Sequence, residues 1–173
     1  MSASICFSRY TRRFIVFASS SVEKDTAALA TIDVLLLRLA GELYGIPSAS
    51  VREVVRYRAY TPVPGSPPSL PGILSQRGLI LPVVELRPLL GLAIVPVTRS
   101  ARLVIVAHQD IDMALLAEAV LDLAALPTET LQPLPAALDP ARARFLRGIA
   151  SHEHQPVMLL DLDELIAGLR AGA

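Results

Sequence analysis

The run Thr61–Leu92, TPVPGSPPSLPGILSQRGLILPVVELRPLLGL, constrains the fold more than any other part of the chain. Five prolines fall within its first eleven residues. Each fixes φ and removes a backbone donor, so the segment is stiff, extended and unsuited to the middle of a sheet. A short apolar strand begins at Ile73, and the polar turn Gln76-Arg77-Gly78 interrupts it. A second apolar strand runs from Leu79 to Leu86, and Gly91 stops the short turn that follows. A proline brace leading into a tight hairpin is common in docking surfaces and unusual in enzymes.

The surrounding sequence also reads mainly as strands. Val34–Leu39, Leu43–Pro47, Val51–Tyr57 and Arg102–His108 are apolar runs of strand length, separated by turns. Met113–Leu123 fits either a helix or strands by periodicity alone. An internal repeat supports the strand reading. Gly72-Ile73-Leu74-Ser75 lines up with Gly148-Ile149-Ala150-Ser151, and at the same offset Val83-Val84-Glu85-Leu86 lines up with Leu159-Leu160-Asp161-Leu162. Gly45–Val51 pairs less closely with Ala114–Val120. Two related halves of short strands imply two small packed β-barrels, because closing each sheet removes its exposed edges.

Helix signals are few. Asp139-Pro140 is a helix start, with an N-cap acid and a proline in the first turn, and Gly148 is the expected stop. Asp161–Arg170 places Leu162, Leu165, Ile166 and Leu169 at helical spacing. It is expected to close the core as a short C-terminal helix.

The Thr61–Leu92 run resembles the CheW family of chemotaxis adaptors, whose pattern there is approximately TPVP…P…GhhNhRGxhhPVhDLRxxhG, with h apolar. The resemblance spans about Asp33 to Gly168. Upstream, Leu43-Tyr44-Gly45-Ile46-Pro47 and Val51-Arg52-Glu53-Val54 match the family's YGIP…VxEV segment. Downstream, Phe145-Leu146-Arg147-Gly148-Ile149 and Leu159-Leu160-Asp161-Leu162 match its FhxG(I/V)…LLDL ending. Ser75 replaces the usual Asn, Gln76 an apolar residue and Glu85 an Asp. Ala114 and Glu118 stand where Gly and Asp are usual. The resemblance implies a mainly β fold of two packed five-stranded SH3-like β-barrels over residues 33–170. It implies a non-catalytic adaptor without cofactors that couples methyl-accepting chemoreceptors to a CheA-type histidine kinase. Such a protein would be cytoplasmic and reach receptor arrays through its partners, the kinase regulatory domain and the receptor's cytoplasmic tip.

Composition narrows the alternatives. Sixteen basic and sixteen acidic residues cancel, which argues against non-specific nucleic-acid binding. The single cysteine, Cys6, excludes an internal disulfide and a thiolate zinc cluster. No apolar run approaches the ~20 residues of a membrane span, so direct membrane insertion is not expected. The first 22 residues are rich in Ser and Arg and contain no acid. Residues 1–32 are therefore expected to be a disordered leader outside the fold.

The candidate docking residues are Val51, Arg52, Glu53, Gly72, Ser75, Gln76, Arg77 and Gly78. On an extended strand Glu53 shares a face with Val51 and Val55, so its carboxylate needs a partner. Arg77 in the hairpin turn is the expected one. Gly78 is expected at positive φ, and Gly72 where another strand or a partner approaches closely. In CheW proteins the matching Glu and Arg help form the partner surface, and the resemblance implies the same here.

The rival reading is a small metal-dependent enzyme centred on His152 and His154. Two His at i, i+2 would project from one side of a strand, with Asp110 or Asp112 as a third ligand. No HExxH, G-x-S-x-G, G-x-G-x-x-G or Walker pattern accompanies them. Asp161 and Asp163 resemble a carboxylate pair, but at i, i+2 on a helix they are expected to point apart.

Overall fold

The computed structural model describes residues 30–172. The leader expected over residues 1–32 lies outside them except for its last residues, and Thr31 and Ile32 already belong to the first strand. The strands and helices, in chain order, are β1 (Thr31–Leu39), β2 (Glu42–Pro47), β3 (Val51–Arg56), β4 (Thr61–Pro62), β5 (Gly72–Gln76), β6 (Leu79–Glu85), α1 (Leu86–Leu89), β7 (Arg102–His108), β8 (Ile111–Ala117), β9 (Ala119–Pro127), α2 (Pro140–Ala143), β10 (Leu146–His152), β11 (Gln155–Leu160) and α3 (Leu162–Ala171).

Two sheets result, ordered β10-β11-β2-β1-β9 and β3-β7-β8-β6-β5-β4. The first has the expected five strands. The second has five plus the two-residue β4, which the proline segment lays along the edge of β5. The two units are interleaved in sequence. The chain begins one barrel with β1 and β2, builds the other over residues 51–117, then returns through β9, β10 and β11.

The internal repeat is real in three dimensions. Hairpins β5–β6 and β10–β11 occupy matching places, and each sends its second strand into a parallel pairing. Val83 pairs with Ala114 on β8, and Leu159 pairs with Gly45 on β2. The weaker match between Gly45–Val51 and Ala114–Val120 is thus also a structural correspondence.

Four hairpins close through two-residue turns: Ala40-Gly41, Arg77-Gly78, Gln109-Asp110 and Glu153-His154. All eight residues have positive φ. This is the turn geometry whose twist matches that of the flanking strands. Only two of these positions are glycine, so hairpin closure here rests on strand pairing more than on turn residue choice.

Three apolar clusters hold the fold. Leu74, Leu81, Leu103, Ile105 and Leu116 fill one barrel. Val34, Leu36, Leu126, Val157 and Leu159 fill the other. The largest cluster lies between them: Leu35, Leu37 and Leu39 of β1 meet Val104 and Val106 of β7, Met113 and Leu115 of β8, and Leu162, Leu165 and Ile166 of α3. Strands β1, β7 and β8 therefore bury both faces, which is why they read as continuous apolar runs.

Met113–Leu123 forms strands and not a helix, as expected: β8 ends at Ala117, Glu118 breaks the run, and β9 follows. Two expectations need correction. The helix begun at Asp139 stops at Ala143, and Gly148 lies inside β10 instead of ending it. Asp161 is the N-cap of α3, outside the helix proper, so Asp161 and Asp163 do not diverge. Arg147 reaches both, at 3.0 and 3.3 Å.

Candidate docking site

Strand β3 stands at one end of its sheet and β5 next to the other end, inside the two-residue β4, and side chains close the seam between β3 and β5. Arg77 Nη2 lies 2.8 Å from Glu53 Oε1. Gln76 Nε2 donates to Glu53 Oε2 at 3.3 Å. Arg58, just beyond β3, donates to the Ser75 carbonyl at 2.5 Å and also to Gln76 Oε1. Glu53 is only 29% exposed while Arg77 is 76% exposed. The carboxylate is thus rooted in the sheet and the guanidinium caps it from solvent. The turn forces this placement, since Arg77 at φ 48 and Gly78 at φ 83 bring the chain back within two residues.

Large apolar side chains flank the ion pair. Ile80 is 72% exposed and Leu79 51%. Ser75 pairs with Ile80 across the hairpin, and Gln76 with Leu79. Sequence reasoning placed Leu79 and Ile80 in an apolar strand, without marking them as exposed, and omitted Arg58. The register carries the missing signal: a residue directly opposite exposed Ser75 shares its exposed face.

The structure gathers Glu53, Ser75, Gln76, Arg77 and Gly78 at one tip. Val51 is half-buried at the start of β3, where the register shifts between Val51 and Glu53. Arg52 is mostly exposed and meets Asp112 of β8 at 3.4 Å. Gly72 is buried at the far end of β5. A Cβ there would lie 2.3 Å from the Thr61 carbonyl oxygen and 2.6 Å from the Tyr60 ring. The close approach expected at Gly72 is therefore made by the chain itself, at β4.

The metal geometry expected at His152 and His154 does not form. His152 ends β10, but His154 occupies a turn at φ 64, so the two do not share a strand face. Among the described residues no group of three His, Cys, Asp or Glu side chains is placed to hold a metal ion.

A second charged cluster escaped the sequence reading. Arg87, the arginine of the ELR motif, is buried, as is Glu85. Its guanidinium contacts Glu85 through Nε at 2.8 Å and Nη2 at 2.5 Å. It also donates to Glu118 Oε1 at 3.3 Å and the Val95 carbonyl at 3.2 Å. Glu118 Oε1 accepts the Ala40 amide at 2.9 Å. Hydrogen bonding to Glu85 raises the arginine's pKa despite its burial. Because Ala40 and Arg87 belong to different barrels, the cluster pins the barrels together where the chain crosses at Glu118.

The model of the CheW-like domain matches residues 33–170. The chain belongs to the CheW-like family. These proteins are chemotaxis adaptors, and several relatives agree with the assignment. Protein PilI of Pseudomonas aeruginosa is 32% identical over 69% of this chain and 66% of its own length. A probable chemotaxis protein CheW of Rhizobium etli is 28% identical over 78% of this chain and 87% of its own. The crystal structure of the scaffolding protein TtCheW from Thermoanaerobacter tengcongensis superposes with a TM-score of 0.69 at 27% identity, covering 77% of this chain and 86% of that one. Two SH3-like units and a short C-terminal helix are thus common to the CheW-like fold and to this chain. No helix among the described residues is long and apolar enough to cross a membrane.

Proposed function

We propose that this CheW-like protein is a non-catalytic adaptor that binds the regulatory domain of a CheA-type histidine kinase and the cytoplasmic tip of a chemoreceptor. The observation that carries the reading is the β5–β6 tip: an ion pair rooted in the sheet beside exposed Leu79 and Ile80. Exposed apolar side chains ringed by fixed polar groups mark a protein interaction site. The tip is presented by a tight turn and braced by prolines, so little entropy is lost when it docks. A separate apolar cleft of about 200 Å³ opens where α3 meets the seam, lined by Leu70, Pro82, Val84, Met113, Ile166 and Leu169. Two separate surfaces suit a protein that holds two partners in one geometry.

The mechanism is then positional. A partner that prefers one orientation of the other biases its equilibrium through the adaptor, and the adaptor needs no chemistry of its own. Calorimetric titration of a kinase regulatory domain and a receptor-tip fragment against the full chain tests this. Micromolar binding of at least one is expected. Failure of both to bind at tens of micromolar would remove the reading.

A further inference from the structure

The chain's zero net charge conceals a separation of charge between its barrels. Residues 51–117, which build one barrel, carry seven arginines against four carboxylates. Residues 30–50 and 118–172, which build the other, carry five arginines against ten carboxylates. Three of the seven arginines lie on or just beyond β3. Arg52, Val54 and Arg56 are exposed along the strand, and Arg58 follows it, bonded to Ser75 and Gln76 of the neighbouring tip.

One contact there opposes folding. Arg56 stands directly across from Arg102 of β7. Like charges facing one another across a ladder are destabilising. Arg102 Nη1 turns away onto the Arg99, Ser100 and Ala101 carbonyls, at 3.1, 2.9 and 2.8 Å. Arg56 has no carboxylate within ion-pair distance among the described residues. Two acids of this barrel are already paired, Glu53 with Arg77 and Asp112 with Arg52.

We infer that this face of β3 docks an acidic protein surface, whose carboxylates supply the counter-charge that Arg56 and Arg102 lack. The inference rests on the adaptor reading and specifies the chemistry of the partner. A protein fits better than nucleic acid. Val54 interrupts the arginines and Ile80 and Leu79 lie at the neighbouring tip, and the excess is only three charges. Phosphate tracking by contrast requires a longer, uninterrupted basic path.

The test uses charge reversal at Arg56, where stability and binding respond in opposite directions. In Arg56→Glu the new carboxylate faces Arg102, so the melting temperature is expected to rise by a few degrees. Binding of the kinase regulatory domain or receptor tip is expected to weaken about 10-fold or more, and wild-type binding to weaken similarly between about 50 and 500 mM NaCl. Arg38→Glu, exposed on β1 of the other barrel, is expected to leave affinity within about two-fold. Wild-type binding that is indifferent to both salt and Arg56→Glu would overturn the inference while leaving the adaptor reading intact. A poly-glutamate peptide of about 20 residues serves as an independent probe. Binding of this peptide that is lost in Arg56→Glu supports an acidic-surface site even if neither natural partner binds, whereas its failure to bind wild type overturns the site. Tighter binding of a duplex DNA of equal charge through the same arginine would also overturn it. So would salt-sensitive self-association abolished by Arg56→Glu, because the acidic surface would then be a second copy's own.

Discussion

Arg77 and Glu53 lie 24 residues apart in sequence and 2.8 Å apart in space, and they join the edge strand β3 to the β5–β6 turn of the same barrel. Glu53 is the more buried partner, so losing Arg77 leaves a half-buried carboxylate with only Gln76 as donor. Arg77→Ala is expected to cost about 0.5–1 kcal/mol of stability, because the arginine itself is mostly exposed. The same substitution is expected to weaken partner binding by about 1–3 kcal/mol, or 5- to 150-fold. Titration of Arg77→Ala, Glu53→Ala and the double variant checks this in folded protein. A double-variant cycle with no coupling energy would show that the pair does not act as a unit in binding.

The Arg87 cluster predicts a much larger effect on stability. Arg87→Ala would leave Glu85 and Glu118 facing a buried cavity without a cation. A loss of about 3–5 kcal/mol is expected, the scale of a buried pair broken from one side. Urea unfolding at neutral pH measures it. A loss under about 1 kcal/mol would mean that water reaches the cluster and solvates both carboxylates.

Gly72 and Gly78 should respond to alanine for different reasons. At Gly78 a Cβ meets nothing within 4 Å, so the cost is conformational, about 1 kcal/mol at φ 83. Gly78→Asn, which tolerates that conformation, should recover much of it. At Gly72 the obstacle is the Thr61 carbonyl, which is backbone and can yield only if β4 lifts from β5. Gly72→Ala is expected to exceed Gly78→Ala in cost and to deprotect the Thr61 and Val63 amides in hydrogen exchange. Unchanged protection there would place the strain elsewhere.

Asp161 links stability to pH. Partial burial pushes its pKa up, but the Glu164 and Asp163 amides and Arg147 outweigh this and hold it below 3.8. A carboxylate depressed in the folded state stabilises it above the unfolded value, and that contribution disappears as pH falls through the folded value. Asp161→Ala is therefore expected to cost about 1 kcal/mol at pH 7, as for loss of an N-cap. The difference from wild type should shrink below about pH 4. A difference that is constant from pH 7 to pH 2 would show that ionisation plays no part in the cap.

Local sequence carried a good deal of this architecture. Alternation correctly placed Glu53 on the face of Val55, but the register shift after Val51 turns Val51 to the seam cluster instead. Asp139-Pro140 and Asp161 marked helix starts because capping chemistry involves only neighbouring residues. The pairing of Glu53 with Arg77 followed from a carboxylate that needed a partner and a nearby turn that offered one. The repeat from Gly72 to Gly148 pointed to two barrels because equivalent strands meet equivalent surroundings.

Tertiary structure alone decided which strands share a barrel. Strand pairing across seventy or more residues, as between β1 and β9, leaves no trace in local periodicity. For the same reason the apolar runs of β1, β7 and β8 could not reveal that one face fills a barrel and the other the seam. Arg87 is buried because α1 turns it inward between Glu85 and Glu118. Ile80 is exposed because the hairpin register sets it opposite Ser75. Whole-chain neutrality hid an arginine-rich barrel beside a carboxylate-rich one, because charge belongs to a surface only after the chain has assigned each residue to one.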